Sequence, residues 1–182
     1  MGKLIASINV TVDGYCNHDY VVADIDLHEY ACSVVASSEA VLFGSRTFKI
    51  FEDYWPSVSK SSEYSVDQIE FAEKITSIRK IVFSKSLKSS DWLNVEFTTE
   101  ELRSKILNLK KTVSGDLLTF GSPTLLMSLA SLDLVDEYHF LIQPMIMGSG
   151  RMLTEGLKSK LNFRLTGVRQ FSSGVVFHSY TR

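Results

Sequence analysis

Cysteine is scarce in this sequence, with only Cys16 and Cys32 present. Their spacing fits neither a metal-ligand pattern nor a disulfide framework, so a reducing compartment and two small core side chains are expected. An excess of charge is also missing: 19 Lys and Arg stand against 21 Asp and Glu, a formal net charge of −2. That balance removes the general electrostatic case for nucleic acid or an anionic membrane as partner. No apolar run approaches the roughly 20 residues that cross a bilayer. The opening Met1–Ile8 lacks the apolar core of a signal peptide and reads as the entry to a strand. A cytoplasmic location is therefore expected. Several nucleotide and nucleophile motifs are absent as well: GxGxxG after the first strand, GxxxxGK[ST], and GxSxG. His18, His28, His139 and His178 lie without ligand spacing, so no metal site is expected, and His139 reads as a core or sheet-face residue.

What is present is enough apolar sequence for one domain. The 182 residues are 45% hydrophobic, and no linker or repeat divides them, so residues 1–182 read as a single unit. Lys3–Val12 is a β-branched run ending at Asp13-Gly14, a turn signal. Asp24 or Asp26 can cap a helix running to about Ser37. Glu39–Phe43 is a second buried strand, followed by a helix from Arg46 to Tyr54 that Trp55-Pro56 should end. A Ser-rich stretch to Ser65 reads as a mobile loop before a helix over Val66–Ser77. Strands follow at Lys80–Phe83 and Leu93–Phe97, then a helix capped by Thr98 or Thr99. In that helix Leu102, Ile106 and Leu109 face inward, and Lys105, Lys110 and Lys111 outward. Leu117–Phe120 is a further buried strand, and Val135–Gln143 a long one. Leu161–Gln170 and Gly174–Tyr180 alternate with period two, as a terminal antiparallel hairpin does. The expected fold is three-layer α/β/α, with a mixed, mostly parallel sheet of about eight strands ending in three antiparallel ones. Exposed edges at Val135–Gln143 and at the hairpin suggest a homodimer.

Three strand ends carry turn residues and hydroxyls: Gly44-Ser45-Arg46-Thr47, Ser84-Lys85-Ser86 and Gly121-Ser122-Pro123-Thr124-Leu125. Gly121 permits a sharp turn, Ser122 can cap the next helix, and Pro123 suits its first position. Ligands of parallel sheets bind at the carboxyl ends of strands. Two helix N-termini, Arg46 and Lys85 would suit a ligand with several phosphates, such as a dinucleotide. The alternative is ordinary turns, with Arg46 and Lys85 solvated.

These turns, with Asp13-Gly14, Leu134-Val135-Asp136-Glu137, Pro144 and Gly148-Ser149-Gly150-Arg151, resemble the dihydrofolate-reductase-like superfamily. The likeness is greatest to the reductase domain at the C-terminus of the riboflavin-biosynthesis deaminase-reductase, and it runs from Lys3 to Tyr180. The resemblance implies an NADPH-dependent reductase of a small heterocyclic substrate. It implies that Arg46, Thr47, Ser84 and Lys85 face the 2′-phosphate or pyrophosphate. The Gly121–Leu125 turn would support the pyrophosphate and nicotinamide side. Gly44 and Ser45 belong to the same cofactor set. On the substrate side the sequence departs from the riboflavin reductase. Residues 20–30 hold no Trp or Arg, and Phe120 stands where a Glu often ends the fifth strand. A pterin reductase would instead need an acid on the first helix, for which Asp26 or Glu29 is the candidate, with Asp13 a third. Each also has a structural reading: Asp26 as a helix cap, Glu29 as a solvated residue, Asp13 as a turn residue. A non-catalytic nucleotide-binding module on the same fold is the remaining alternative.

Overall fold

The structure, a computed structural model, describes residues 2–182. Strand β1 (Leu4–Thr11) is buried along nearly its whole length. Leu4, Ala6, Ile8 and Val10 enter the core on one sheet face and Ile5 on the other, the face on which Ser7 and Thr11 are buried as polar groups. Around it the described residues form β2 (Ser38–Gly44), β3 (Arg79–Phe83), β4 (Val95–Thr98), β5 (Asp116–Phe120), β6 (Glu137–Gln143), β7 (Arg164–Gln170) and β8 (Val176–Thr181). The helices are α1 (Ile25–Ala36), α2 (Ser45–Val58), α3 (Val66–Ser77), α4 (Leu102–Thr112) and α5 (Pro123–Ser131). A short 3-10 turn, His18–Tyr20, interrupts the loop after β1.

The strand order is β4-β3-β2-β5-β1-β6-β8-β7. All neighbours from β4 through β6 pair in parallel, and only β8 runs against both of its neighbours. Ile106 and Leu109 of α4, with Leu125, Leu126 and Leu129 of α5, fill one face. Val34 and Val35 of α1, Phe48 of α2, and Phe71 and Ile75 of α3 fill the other. The three-layer α/β/α expectation therefore holds.

Several local expectations do not. The final three strands are not all antiparallel: β6 pairs in parallel with β1, because the α5 crossover returns the chain in the original direction. That also makes β6 an interior strand, leaving β4 and β7 as the edges. Helix α2 does not stop at Trp55-Pro56 but continues to Val58. Proline removes one helical donor, and the Ser59 amide still closes the following turn on the Trp55 carbonyl at 3.2 Å. Burial of Val58 and the edge-on contact of Trp55 with Phe71, centroids 4.6 Å apart, hold that last turn in place.

Helix α4 is capped by Glu101, whose carboxylate accepts from the Arg103 and Ser104 amides at 3.0 and 2.8 Å. Thr98 is used one turn too early for a cap, accepting from the Glu100 amide. Lys110 does not face outward: it is buried and pairs with Asp136, whose carboxylate also receives the Leu4 amide. Lys80 is fully buried too. Its ammonium donates to the carbonyls of Ile75, Thr76 and Ile78 at 2.9, 2.8 and 2.8 Å, and lies 4.4 Å from the Trp92 ring centroid. It thereby serves the orphan carbonyls that end α3.

Candidate functional site

Because β2 and β5 are parallel neighbours, with Leu42 beside Thr119, the turns that leave them are side by side. Gly121 and Ser122 both adopt left-handed backbone, with φ of 56° and 53°. Two such residues in a row reverse the chain sharply before Pro123 starts α5. Ser122 was expected to cap that helix and does not. In the left-handed conformation its side chain points across the sheet, where its hydroxyl accepts from the Gly44 amide at 3.0 Å. The Ser122 amide in turn donates to the Thr47 hydroxyl at 3.1 Å. The Gly121 amide is held by the Ser7 carbonyl at 2.8 Å. Each turn thus serves as the other's scaffold.

A cleft of about 480 Å³ opens over this pair of turns. Of the residues singled out in the sequence, Gly44, Ser45, Arg46, Thr47, Ser122, Pro123, Thr124 and Leu125 line it. Neither α2 nor α5 has a side-chain cap at its N-terminus, so both present positive dipole ends toward the same opening. Arg46 is exposed and forms no ion pair among the described residues. Phe83, Leu102 and Leu125 give the cleft an apolar wall. The donor set suits phosphate and the wall suits a flat apolar group, so the residues fit a nucleotide.

Three expected residues lie outside the lining. Gly121 is beneath it, where a Cβ would stand 3.5 Å from the Thr47 methyl. Ser84 is buried in its own turn, accepting from the Leu87 amide at 2.9 Å while its amide donates to the Thr98 carbonyl. Lys85 is exposed on the same turn. The side chain that sequence reasoning overlooked is Arg151, which lines the cleft and donates to the Thr124 hydroxyl. Its amide is fixed by Asn17 at 2.8 Å, and a Cβ on the preceding Gly150 would come within 2.5 Å of that Asn17 oxygen. The Gly148-Ser149-Gly150-Arg151 string was the available signal, but nothing in it shows which strand end the loop crosses.

The candidate acids are placed as follows. Asp13 clamps two loops, accepting from the Thr11 hydroxyl at 2.6 Å and from the Met147 and Gly148 amides. The Thr11 hydroxyl above all, then those amides, holds its carboxyl below the usual range. Asp24, not Asp26, caps α1 through the Leu27 amide at 2.8 Å. Asp26 pairs with Arg169 and accepts from the Ser172 hydroxyl and amide, which lower its pKa. Glu29 is exposed on α1. None of the three lines the cleft. Phe120, at the end of β5, stacks on Phe51 with centroids 6.2 Å apart and meets Phe71 edge-on.

The α1 side of the sheet holds a further group of polar residues. Tyr30 meets Ser7 and His139, and His139 meets Glu137, as expected for a sheet-face histidine that is buried. His28 is buried against Trp55, with its Nδ1 2.5 Å from Asp67, tying α1 to the start of α3. Among the described residues no helix is long and apolar enough to cross a membrane.

Comparison with known proteins agrees with this architecture. A protein of Bacillus subtilis (strain 168) named uncharacterized protein YyaP is 26% identical over 179 residues, covering 96% of this chain and 92% of that one. The crystal structure of a putative riboflavin biosynthesis protein from Shewanella sp. PV-4 superposes with a TM-score of 0.71 at 16% identity, covering 99% of this chain and 98% of that one. A pyrimidine reductase-like protein from Corynebacterium diphtheriae gives a TM-score of 0.68 at 16% identity, with 99% and 91% covered. The family model described as the RibD C-terminal domain matches residues 2–177, and the chain belongs to that family.

Proposed function

We propose that this protein is a reductase that binds NADPH across the paired turns and reduces an unsaturated heterocycle. The observation that carries the reading is the convergence of two uncapped helix N-termini, locked to each other through Ser122, with Arg46 and Arg151 at the same opening. Anionic phosphates are stabilised by the dipole ends and by guanidinium donors. When bound, the nicotinamide would supply hydride; the chain supplies binding and orientation. Gly44–Thr47 and Ser122–Leu125 are assigned to the phosphates, with Phe83 and Leu102 against the adenosine. Ser84 and Lys85 extend this edge toward the 2′-phosphate.

A uracil bearing a phosphoribosylamino group is one substrate class, because a Thermotoga maritima deaminase and uracil reductase shares the fold with a TM-score of 0.69. A pterin is the other. Phe120 packs into an aromatic wall with Phe51, so the carboxyl end of β5 offers the substrate no carboxylate. Fluorescence titration with NADPH and NADH tests the cofactor assignment, and no binding of either at millimolar concentration refutes it.

A non-catalytic nucleotide-binding module is favoured by one observation: Asp13 and Asp26 are both engaged in loop contacts and Glu29 is exposed. NADPH oxidation with an aminouracil or dihydropterin eliminates that reading. The proposal extends to a homodimer formed through β7. This edge strand is exposed along nearly its full length, with Leu165 and Val168 53% and 58% exposed. Light scattering at micromolar concentration should give twice the chain mass, and Leu165→Lys should return it to one.

A further inference from the structure

Away from the cleft, the sheet face beneath α1 carries an unbroken polar chain. Ser7 is 1% exposed on β1. The Tyr30 hydroxyl donates to Ser7 Oγ at 2.8 Å and lies 2.8 Å from His139 Nδ1. His139 Nε2 is 2.9 Å from a Glu137 carboxylate oxygen. The Glu137 side chain is 24% exposed, with the Lys3 ammonium 3.7 Å away. One end of the chain therefore meets solvent. The other end is the residue whose carbonyl holds the Gly121 amide. Asn9, two residues further along the same face, is partly exposed and accepts from the Gln143 side chain at 2.8 Å.

Proton counting gives this chain two arrangements. A nitrogen facing a carboxylate carries a proton, so Nε2 is the donor to Glu137. When His139 is neutral, Nδ1 accepts from Tyr30, and Ser7 must donate to Tyr30. When His139 is charged, Nδ1 donates to Tyr30, Tyr30 donates to Ser7, and the Ser7 proton is free to point elsewhere. One proton on His139 reverses both hydroxyls. The groups that face His139 are Glu137 on its own strand, Tyr30 from α1, Ser179 from β8 and the Phe177 ring, with Lys3 beyond Glu137.

We propose that Glu137, His139, Tyr30 and Ser7 form a proton relay from the solvent-facing edge of the sheet to the floor beside the Gly121 turn. The proposal rests on the reductase reading. Hydride addition to a C=N bond leaves an electron pair on nitrogen, which takes up one proton per turnover. As that N–H bond forms, the Ser7 O–H bond breaks. Ser7 takes the Tyr30 proton and Tyr30 takes the Nδ1 proton of His139; the imidazole, left with a proton on Nε2 alone, then turns its bare nitrogen to the Glu137 end, where solvent recharges it. One dihydronicotinamide and one solvent proton are consumed, and oxidised nicotinamide is released. The Tyr30 hydroxyl stays protonated throughout the working range, since burial raises its pKa.

The relay is tested first without cofactor, by NMR on protein carrying 15N-histidine and 13C-labelled serine and tyrosine. The pH midpoint of the His139 ring nitrogens should recur in the Tyr30 Cζ and Ser7 Cβ signals. In Tyr30→Phe, His139 should still titrate while Ser7 no longer follows. A Ser7 signal that ignores the midpoint in the wild type, or follows it in Tyr30→Phe, overturns the relay. So does a His139 that never changes protonation over the stable pH range. In turnover with an aminouracil or dihydropterin, His139→Gln should lower kcat about 10²-fold, the scale of general acid catalysis. It should leave NADPH affinity unchanged and remove the limb of the pH profile belonging to His139. An unaltered profile with intact NADPH binding overturns the relay alone. Failure of the wild type to bind NADPH overturns the reductase reading instead, and the NMR titration still decides whether the chain switches.

Discussion

The Ser122 hydroxyl accepts the Gly44 amide at 3.0 Å across 78 residues of sequence. One side chain of the β5 turn thereby satisfies the backbone of the β2 turn, and the cleft exists because the two turns hold each other.

Ser122→Ala should leave the Gly44 donor without its partner, at a cost of about 1–3 kcal/mol. Urea unfolding should register that loss. NADPH titration should show weaker binding as well, because the turns are free to separate. Unchanged affinity at reduced stability would assign Ser122 to the fold alone.

Arg46→Ala and Arg151→Ala should each weaken NADPH binding by roughly tenfold or more, the scale of a charge-assisted hydrogen bond. Binding should also become less sensitive to salt. Arg46, next to the β3 turn assigned to the 2′-phosphate, should affect NADPH more than NADH. Arg151→Lys should not restore full affinity, since an ammonium lacks the planar fork.

Lys80→Met should destabilise the fold by about 2–4 kcal/mol, because carbonyls of Ile75, Thr76 and Ile78 lose their shared donor. Burial pushes the Lys80 ammonium down from 10.5 to about 8. Between those values the unfolded chain binds more protons than the folded one, so the contribution of this group to stability rises with pH. Unfolding midpoints measured across that window should rise in the wild type relative to Lys80→Met.

Asp24→Ala should cost about 1 kcal/mol through loss of the α1 cap. Hydrogen bonds from Ser173, Leu27 and Ser172 lower the Asp24 pKa against the opposing effect of burial. Its stabilisation is therefore present above the ordinary value of 3.8 and is lost as pH falls through the lower folded value. Asp24→Asn should retain much of the cap while flattening the acid limb of the stability curve, as read by thermal unfolding.

Local signals in the sequence located most elements. The helix over Val66–Ser77 lies where its apolar spacing and boundary residues set it. The α2 end was misplaced because Pro56 is a local stop signal that burial of Val58 overrides. A run of lysines reads as a solvated face, and Lys110 turns inward only because the fold brings Asp136 beside it. The cleft was legible as far as the turn residues go. Arg151 was not, because its role depends on the loop after β6 folding over α5.

By itself the amino-acid sequence determined the alternation of strands and helices, the parallel sheet and the three strand-end turns. Those features follow from periodicity, chain direction and the conformational limits of glycine and proline, all of which act over a few residues. Tertiary structure alone decided which turns meet, that Ser122 links rather than caps, and that β6 is interior. It also decided that Ser7, Tyr30, His139 and Glu137 form one chain. Those are contacts between residues far apart in sequence, and composition and spacing carry no record of which partner each polar group will find.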